Sequence, residues 1–148
     1  MRKLLPLLGV ALLAAGCGEG AGNGGGQPGS GETVTYSRTG GLAGTSERLI
    51  IRPDGRAKLE VGYQDPATTE FTVPPAELDK LQDALAGFGD IDGAGTQTGC
   101  ADCYLYSLTV GDRTIEADDT NFPKPLNGAR EMLEKLKHNN YPGNAGPG

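Results

Sequence analysis

Alternation of apolar and polar positions is the dominant pattern between residues 33 and 117, and it predicts β-strands. Val34 and Tyr36, for example, alternate with hydroxyl-bearing residues, which places apolar side chains on one face of a strand and polar ones on the other. The same period of two recurs further along the chain. Six strands are predicted, over or around residues 33–37, 49–51, 57–61, 71–73, 104–110 and 113–117.

Two segments show the helical period instead. Leu78, Leu81 and Leu85 recur at spacings of three and four residues behind Pro75, a favourable first residue of a helix. A second apolar stripe consists of Leu126, Ala129, Leu133 and Leu136. Because short turns join the predicted strands, we predict an α+β fold: an antiparallel sheet of about six strands with two helices packed on one face.

The first 17 residues have the features of an export signal. A basic start, Arg2 and Lys3, precedes an apolar run over residues 4–15, and small residues then lead to Cys17. This arrangement resembles a bacterial lipobox, so we expect residues 1–16 to be a lipoprotein signal peptide that is removed and Cys17 to carry acyl chains. The protein is then expected outside the cytoplasm, anchored to the membrane by lipid.

The rest of the chain divides by composition. Residues 17–31 comprise the lipid-carrying Cys17 and a glycine-rich stretch that can bury little, so they are predicted to be a flexible tether. Residues 32–138 hold the α+β domain. The asparagine- and glycine-rich residues 139–148 lack periodicity and are predicted to be a disordered tail.

The charge balance argues against polyanionic partners. The sequence has a formal net charge of −6, and removal of Arg2 and Lys3 with the signal peptide lowers the 13 basic residues to 11 against 19 acidic ones, a net charge of −8. Such a chain repels nucleic acid and anionic lipid headgroups. We therefore expect no nucleic-acid partner, and membrane attachment through the lipid at Cys17 alone.

Cys100 and Cys103 form a Cys-X-X-Cys pattern that several interpretations fit. In redox proteins such a pair lies at a helix N-terminus, whose dipole lowers the thiol pKa, whereas here Cys103 leads directly into a predicted strand. In an exported protein a structural disulfide is the favoured interpretation. Free thiols, or a redox or metal-binding function, stay open as alternatives.

Residues suited to catalysis or metal binding are sparse. A structural zinc site needs four ligands, and besides carboxylates only Cys100, Cys103 and His138 are available. His138 lies at the predicted end of the last helix, while Asp118 and Asp119 lie in a predicted solvated turn, where their side chains point apart. We therefore expect no metal, no cofactor and no enzymatic activity.

The connection between the first two strands, residues 38–45, is the most distinctive segment. Its three glycines allow positive φ angles, and two apolar residues, Leu42 and Ala43, stand where a simple turn would be polar. Either Leu42 folds back beneath the sheet as a plug, or it projects as an apolar contact for a partner. Physical reasoning on the sequence alone favours the plug.

With these segments the chain resembles the emfourin-like family, whose named member inhibits thermolysin-like zinc metallopeptidases. The resemblance covers about residues 33–137 and implies an antiparallel sheet with two helices in a protein that binds exported metallopeptidases. It rests on Tyr36-Ser37-Arg38-Thr39, the loop Gly40-Gly41-Leu42-Ala43-Gly44, the strand with Leu49 and Ile51, the helix start Pro74-Pro75-Ala76-Glu77-Leu78, the strand over 104–110 and the closing leucine helix.

The hypothesis that results is a membrane-anchored lipoprotein whose domain binds a protein partner. The candidate partner is an exported zinc metallopeptidase, which the loop would inhibit by entering its active-site cleft. The alternative is a non-inhibitory lipoprotein of the cell envelope, or an adaptor. We expect a monomer, and the candidate contact residues are Arg38, Gly40, Gly41, Leu42, Ala43 and Gly44.

Overall fold

The computed structural model describes residues 31–91, 100 and 102–143. The predicted signal peptide, Cys17 and all of the predicted tether except Gly31 lie outside the described residues. Two short 3-10 turns lie at Phe88–Asp90 and Lys124–Leu126. The elements are β1 (Val34–Gly40), β2 (Thr45–Ile51), β3 (Arg56–Val61), β4 (Ala67–Thr72), α1 (Pro75–Ala84), β5 (Tyr104–Val110), β6 (Arg113–Asp118) and α2 (Asn127–Asn139).

The six strands form one antiparallel sheet in the order β4-β3-β2-β1-β5-β6. β1 lies near the centre: its first residue, Val34, pairs with Val110 of β5, and its last, Gly40, pairs with Thr45 of β2. Tight turns explain the antiparallel pairing, since β5 and β6 are joined by two residues of which Gly111 has a φ of 62°. The predicted α+β fold, a six-stranded antiparallel sheet with two helices, is confirmed.

Both helices cover one face of the sheet, because their apolar stripes share a single hydrophobic cluster with alternate strand residues. Tyr36, Leu49 and Leu108 supply the centre from the strands, and Leu81 and Leu133 from the helices; all five are 0% exposed. Each side chain of this size stabilises the fold by about 1.5–3 kcal/mol when buried. No helix in the part of the chain that the structure describes is long and apolar enough to cross a membrane.

The folded part ends later than the predicted boundary at residue 138. Helix α2 runs to Asn139, and the backbone amide of Asn140 donates to the Leu136 carbonyl oxygen at 3.2 Å. Tyr141, within the segment predicted as a disordered tail, is partly buried against the core. The Tyr141 ring thus adds an apolar contact to the domain. Residues 144–148 lie outside the described part.

Candidate protein-binding site

Residues 41–44, the hairpin tip, connect β1 to β2. Glycine is required on both sides of it, since Gly40, Gly41 and Gly44 have φ angles of 93°, 70° and 57°, a region that side chains with a Cβ atom avoid. The Gly44 amide donates to the Gly41 carbonyl oxygen at 3.0 Å and closes the turn. Leu42 and Ala43 are thereby placed at the apex of the hairpin.

Leu42 projects into solvent. Its exposed fraction is 91%, and Ala43 beside it is also exposed. The plug favoured by the sequence argument is therefore wrong, and the projecting alternative is what the structure shows. Next to the tip, the helix-facing side of the sheet carries the ion pair of Arg38 and Glu47, so a leucine folded back there would meet charged rather than apolar side chains.

The start of β5 supports the tip from one side. The Gly41 amide donates to the Cys103 carbonyl oxygen at 3.2 Å. Contact is so close that a Cβ atom at Gly40 would lie 2.8 Å from the same oxygen, and one at Gly41 would lie 2.6 Å from Cε1 of Tyr104. Glycine at these two positions therefore permits both the backbone conformation and the approach of β5.

Two further apolar side chains are exposed at the same end of the sheet. Tyr63 is 66% exposed, and its hydroxyl donates to the carbonyl oxygen of Thr45, at the base of the tip, at 3.0 Å. Leu105, 38% exposed, pairs with Thr39 near the end of β1. Among the described residues, Leu42, Tyr63 and Leu105 are all of the exposed large hydrophobics. We call these three residues the apolar end.

Arg38 is committed to partners within the domain. Its guanidinium lies 2.9 Å from a carboxylate oxygen of Glu47 and 3.1 Å from one of Glu134, and it stacks on the Tyr104 ring at 4.7 Å from the centroid. Sequence reasoning made Arg38 a partner contact. In the structure its guanidinium supports the hairpin, because Glu47 lies directly opposite it on β2; its contact with a partner stays a prediction.

These charges belong to a larger cluster, the ion network, made of Arg38, Glu47, Glu134 and Lys137. The side chains of Glu47 and Lys137 are only 3% and 2% exposed and are hydrogen-bonded to each other. Lys137 also contacts Glu134 at 3.1 Å, and the Tyr36 hydroxyl donates to Glu134 at 2.7 Å. Every charge is thus paired, as burial requires.

Burial and ion pairing shift the pKa of Glu47 in opposite directions. Burial opposes its ionisation, but hydrogen bonds and charge from Lys137 and then Arg38 outweigh it and hold the pKa of Glu47 below its ordinary value. For Tyr36, burial and the neighbouring Glu134 carboxylate both raise the pKa of the hydroxyl, which therefore stays a proton donor. The ionised Glu47 carboxylate and the protonated Tyr36 hydroxyl therefore both serve as fixed partners in the support of the hairpin.

Sequence reasoning missed Glu47, Glu134 and Lys137. A signal was present at Glu47, which lies two residues before Leu49 and therefore on the core-facing side of β2. Lys137 likewise follows Leu133 by four residues on the buried stripe of α2. Charged residues at core-facing positions of otherwise apolar patterns predict a buried pair.

Cys100 and Cys103 form a disulfide, with their Cα atoms 5.4 Å apart. The favoured interpretation of the Cys-X-X-Cys pattern is therefore confirmed. Cys100 is exposed, and Cys103 lies directly before β5. The disulfide thus ends one residue from Tyr104, in the segment that supports the hairpin tip.

The two carboxylates expected in a solvated turn have structural partners. Asp118 is 1% exposed, and hydrogen bonds from the side chain and backbone of Thr120 hold its pKa below the ordinary value. Asp119 accepts from the Tyr106 hydroxyl at 2.6 Å and from the Tyr104 amide at 2.8 Å. The described residues contain no group of three or more His, Cys, Asp or Glu side chains placed to hold a metal ion.

No protein-family model matches the chain, and no curated protein is significantly similar to it. The site is therefore interpreted from its geometry, with the emfourin-like resemblance as a hypothesis.

Proposed function

We propose that this protein is a lipid-anchored binding protein whose apolar end contacts another protein, with an exported thermolysin-like zinc metallopeptidase as the target that it inhibits. The observation that carries the proposal is Leu42, 91% exposed at the apex of a hairpin tip whose backbone is braced by glycines and by β5. A leucine held in solvent at the apex of a braced hairpin is placed to fill a pocket of a partner.

Pre-organisation makes Leu42 a suitable anchor. A leucine side chain gains about 1.5–3 kcal/mol on full burial, and little of this is lost to ordering when the backbone that carries it is already fixed. The Gly44 and Gly41 amides fix that backbone through hydrogen bonds of 3.0 and 3.2 Å. The emfourin-like resemblance supplies the target, since peptidases of this type recognise a hydrophobic side chain in a pocket.

The placement of the chain entry supports the anchored arrangement. The predicted tether leads into Val34, whereas the hairpin tip follows Gly40 at the far end of the same strand. Seven strand residues span about 20 Å at roughly 3.3 Å each. A lipid on Cys17 would therefore hold the protein at the end opposite the apolar end, which leaves Leu42 accessible.

Titration of the purified protein against thermolysin, with hydrolysis of a peptide substrate as the readout, tests the inhibitory function. We expect inhibition at micromolar concentration or below. Leu42→Ala should raise the inhibition constant at least about tenfold, the scale of a truncated interface hot spot. Ile50→Ala is the matched control, because Ile50 is a partly exposed branched residue near the opposite end of β2.

The outcomes separate the two candidate functions. Inhibition that Leu42→Ala leaves unchanged would contradict the hairpin mechanism, and no inhibition at all would contradict the peptidase target. The second result would favour a non-inhibitory envelope lipoprotein or adaptor. Tyr63 and Leu105 support that alternative, since they extend the apolar end beyond the size of a single inserted side chain.

A further inference from the structure

The disulfide and the hairpin tip meet at one backbone group. The carbonyl oxygen of Cys103 accepts the Gly41 amide hydrogen bond and would lie 2.8 Å from a Cβ atom at Gly40. Cys103 is itself cross-linked to Cys100, three positions earlier. Cys103 therefore both closes the disulfide-bonded loop and accepts the hydrogen bond from Gly41, the residue that precedes Leu42.

A disulfide across so short a loop restricts the backbone dihedrals of the residues it joins, because it removes most of their alternative conformations. The following residue, Tyr104, is held separately: its amide donates to Asp119, and its ring contacts both Gly41 and the Arg38 guanidinium. The direction of the Cys103 carbonyl is thus set from one side by the disulfide and from the other by the first residue of β5.

We propose that the Cys100–Cys103 disulfide is a positioning element of the binding site, which holds the hairpin tip in its binding conformation and makes binding sensitive to thiol reductants. The proposal rests on the proposed function for its binding consequence, but its structural consequence is independent of any partner. Reduction frees the Cys103 carbonyl to turn away from Gly41, and the tip then loses the hydrogen bond that braces Leu42.

The chemistry requires a dithiol reductant. One thiolate of the reductant attacks a sulfur of the disulfide, a mixed disulfide forms, and the second thiolate displaces the remaining cysteine. The Cys100–Cys103 bond takes up two electrons and two protons to give two thiols, while the reductant becomes a disulfide. Cys100 is an exposed residue, and exposure favours attack on a disulfide sulfur.

Amide hydrogen exchange of Gly41, followed by NMR, tests the structural consequence. The full chain is used with Cys17→Ser, which leaves Cys100 and Cys103 as its only cysteines. Treatment with dithiothreitol should speed exchange of the Gly41 amide by about two- to tenfold, the change that corresponds to one net hydrogen bond. Amides in the pairing of β3 with β4 should keep their rates.

Two variants provide controls. The double variant Cys100→Ser with Cys103→Ser should show the fast rate with and without dithiothreitol. Asp102→Ala changes an exposed residue of the same segment but retains the disulfide, so it should keep the slow rate. An unchanged Gly41 rate in both the reduced protein and the double variant would overturn the proposal.

Thermolysin inhibition by the double variant tests the binding consequence. The double variant replaces reductant in this assay, because a dithiol also binds the zinc of the peptidase. We expect its inhibition constant to rise at least threefold over that of the disulfide form. Faster exchange with an unchanged inhibition constant would overturn the positioning role. If exchange of the Gly41 amide is faster but neither the disulfide form nor the double variant inhibits, the proposed function is overturned. The conclusion that the disulfide positions the tip would then still be supported.

Discussion

Positions 41 and 44 require glycine for different physical reasons. Both have positive φ angles, 70° and 57°, which cost a residue with a Cβ atom about 1–2 kcal/mol. Only Gly41 also touches another element: a Cβ there would overlap the Tyr104 ring, whereas nothing lies within 4 Å of one at Gly44. The two positions therefore separate backbone strain from steric contact at one hairpin.

Alanine substitution at each position measures these contributions. Gly44→Ala should lower the free energy of unfolding by about 1 kcal/mol, because it adds conformational strain alone. Gly41→Ala should lower it by at least about 2 kcal/mol, since the Tyr104 ring must also move away from the hairpin. Urea denaturation of both variants provides the comparison. Equal losses would show that the Tyr104 contact contributes nothing to the stability of the tip.

At the scale of elements, helix α2 is held by its apolar stripe. Leu133 is 0% exposed and lies in the cluster shared with the sheet, while Lys135 on the same helix is exposed. Leu133→Ala should lower the free energy of unfolding by about 2–5 kcal/mol, the range for a cavity in a packed core. Lys135→Ala, the control on the outer side, should change it by less than about 0.5 kcal/mol. Similar effects of the two substitutions would mean that α2 does not pack as described.

The same helix shows how far the sequence predicts the fold. The existence of the strands and helices follows from local periodicity, so Leu133 and its stripe were identifiable in advance. The position of Lys137 on this stripe was a signal of burial, but its partner could not be identified, because Glu47 lies 90 positions earlier in the chain. The local pattern favoured the wrong direction for Leu42, because it does not show that Arg38 and Glu47 beside the tip pair with residues of α2 far along the chain. Local patterns therefore predict the elements, whereas the site depends on contacts that only the assembled sheet creates.

At the scale of the whole molecule, the ion network joins the hairpin to the opposite layer. Arg38 and Glu47 lie on β1 and β2, and Glu134 and Lys137 on α2. The apolar core ends at these residues, just below the hairpin tip. In the proposed contact, Leu42 would therefore be presented by a hairpin that ion pairs already fix to the domain, so that little ordering would be lost on binding.

Acid should weaken this connection. The pKa of Glu47 is lower in the folded protein than in the unfolded chain, so its contribution to stability is complete above the ordinary pKa of about 4.5 and is lost as the pH falls through the lower, folded value. Glu47→Gln should cost about 3 kcal/mol at pH 7, because it leaves the Lys137 ammonium poorly paired in a buried position. The variant should then lose less further stability than the unsubstituted protein between pH 5 and about pH 3.

Urea denaturation across this range measures both effects. Glu131→Gln, at an exposed position of α2, is the control that keeps the original pH dependence. Parallel pH profiles for Glu47→Gln and the unsubstituted protein would contradict a depressed pKa at Glu47, and with it the view that this carboxylate anchors the hairpin to α2.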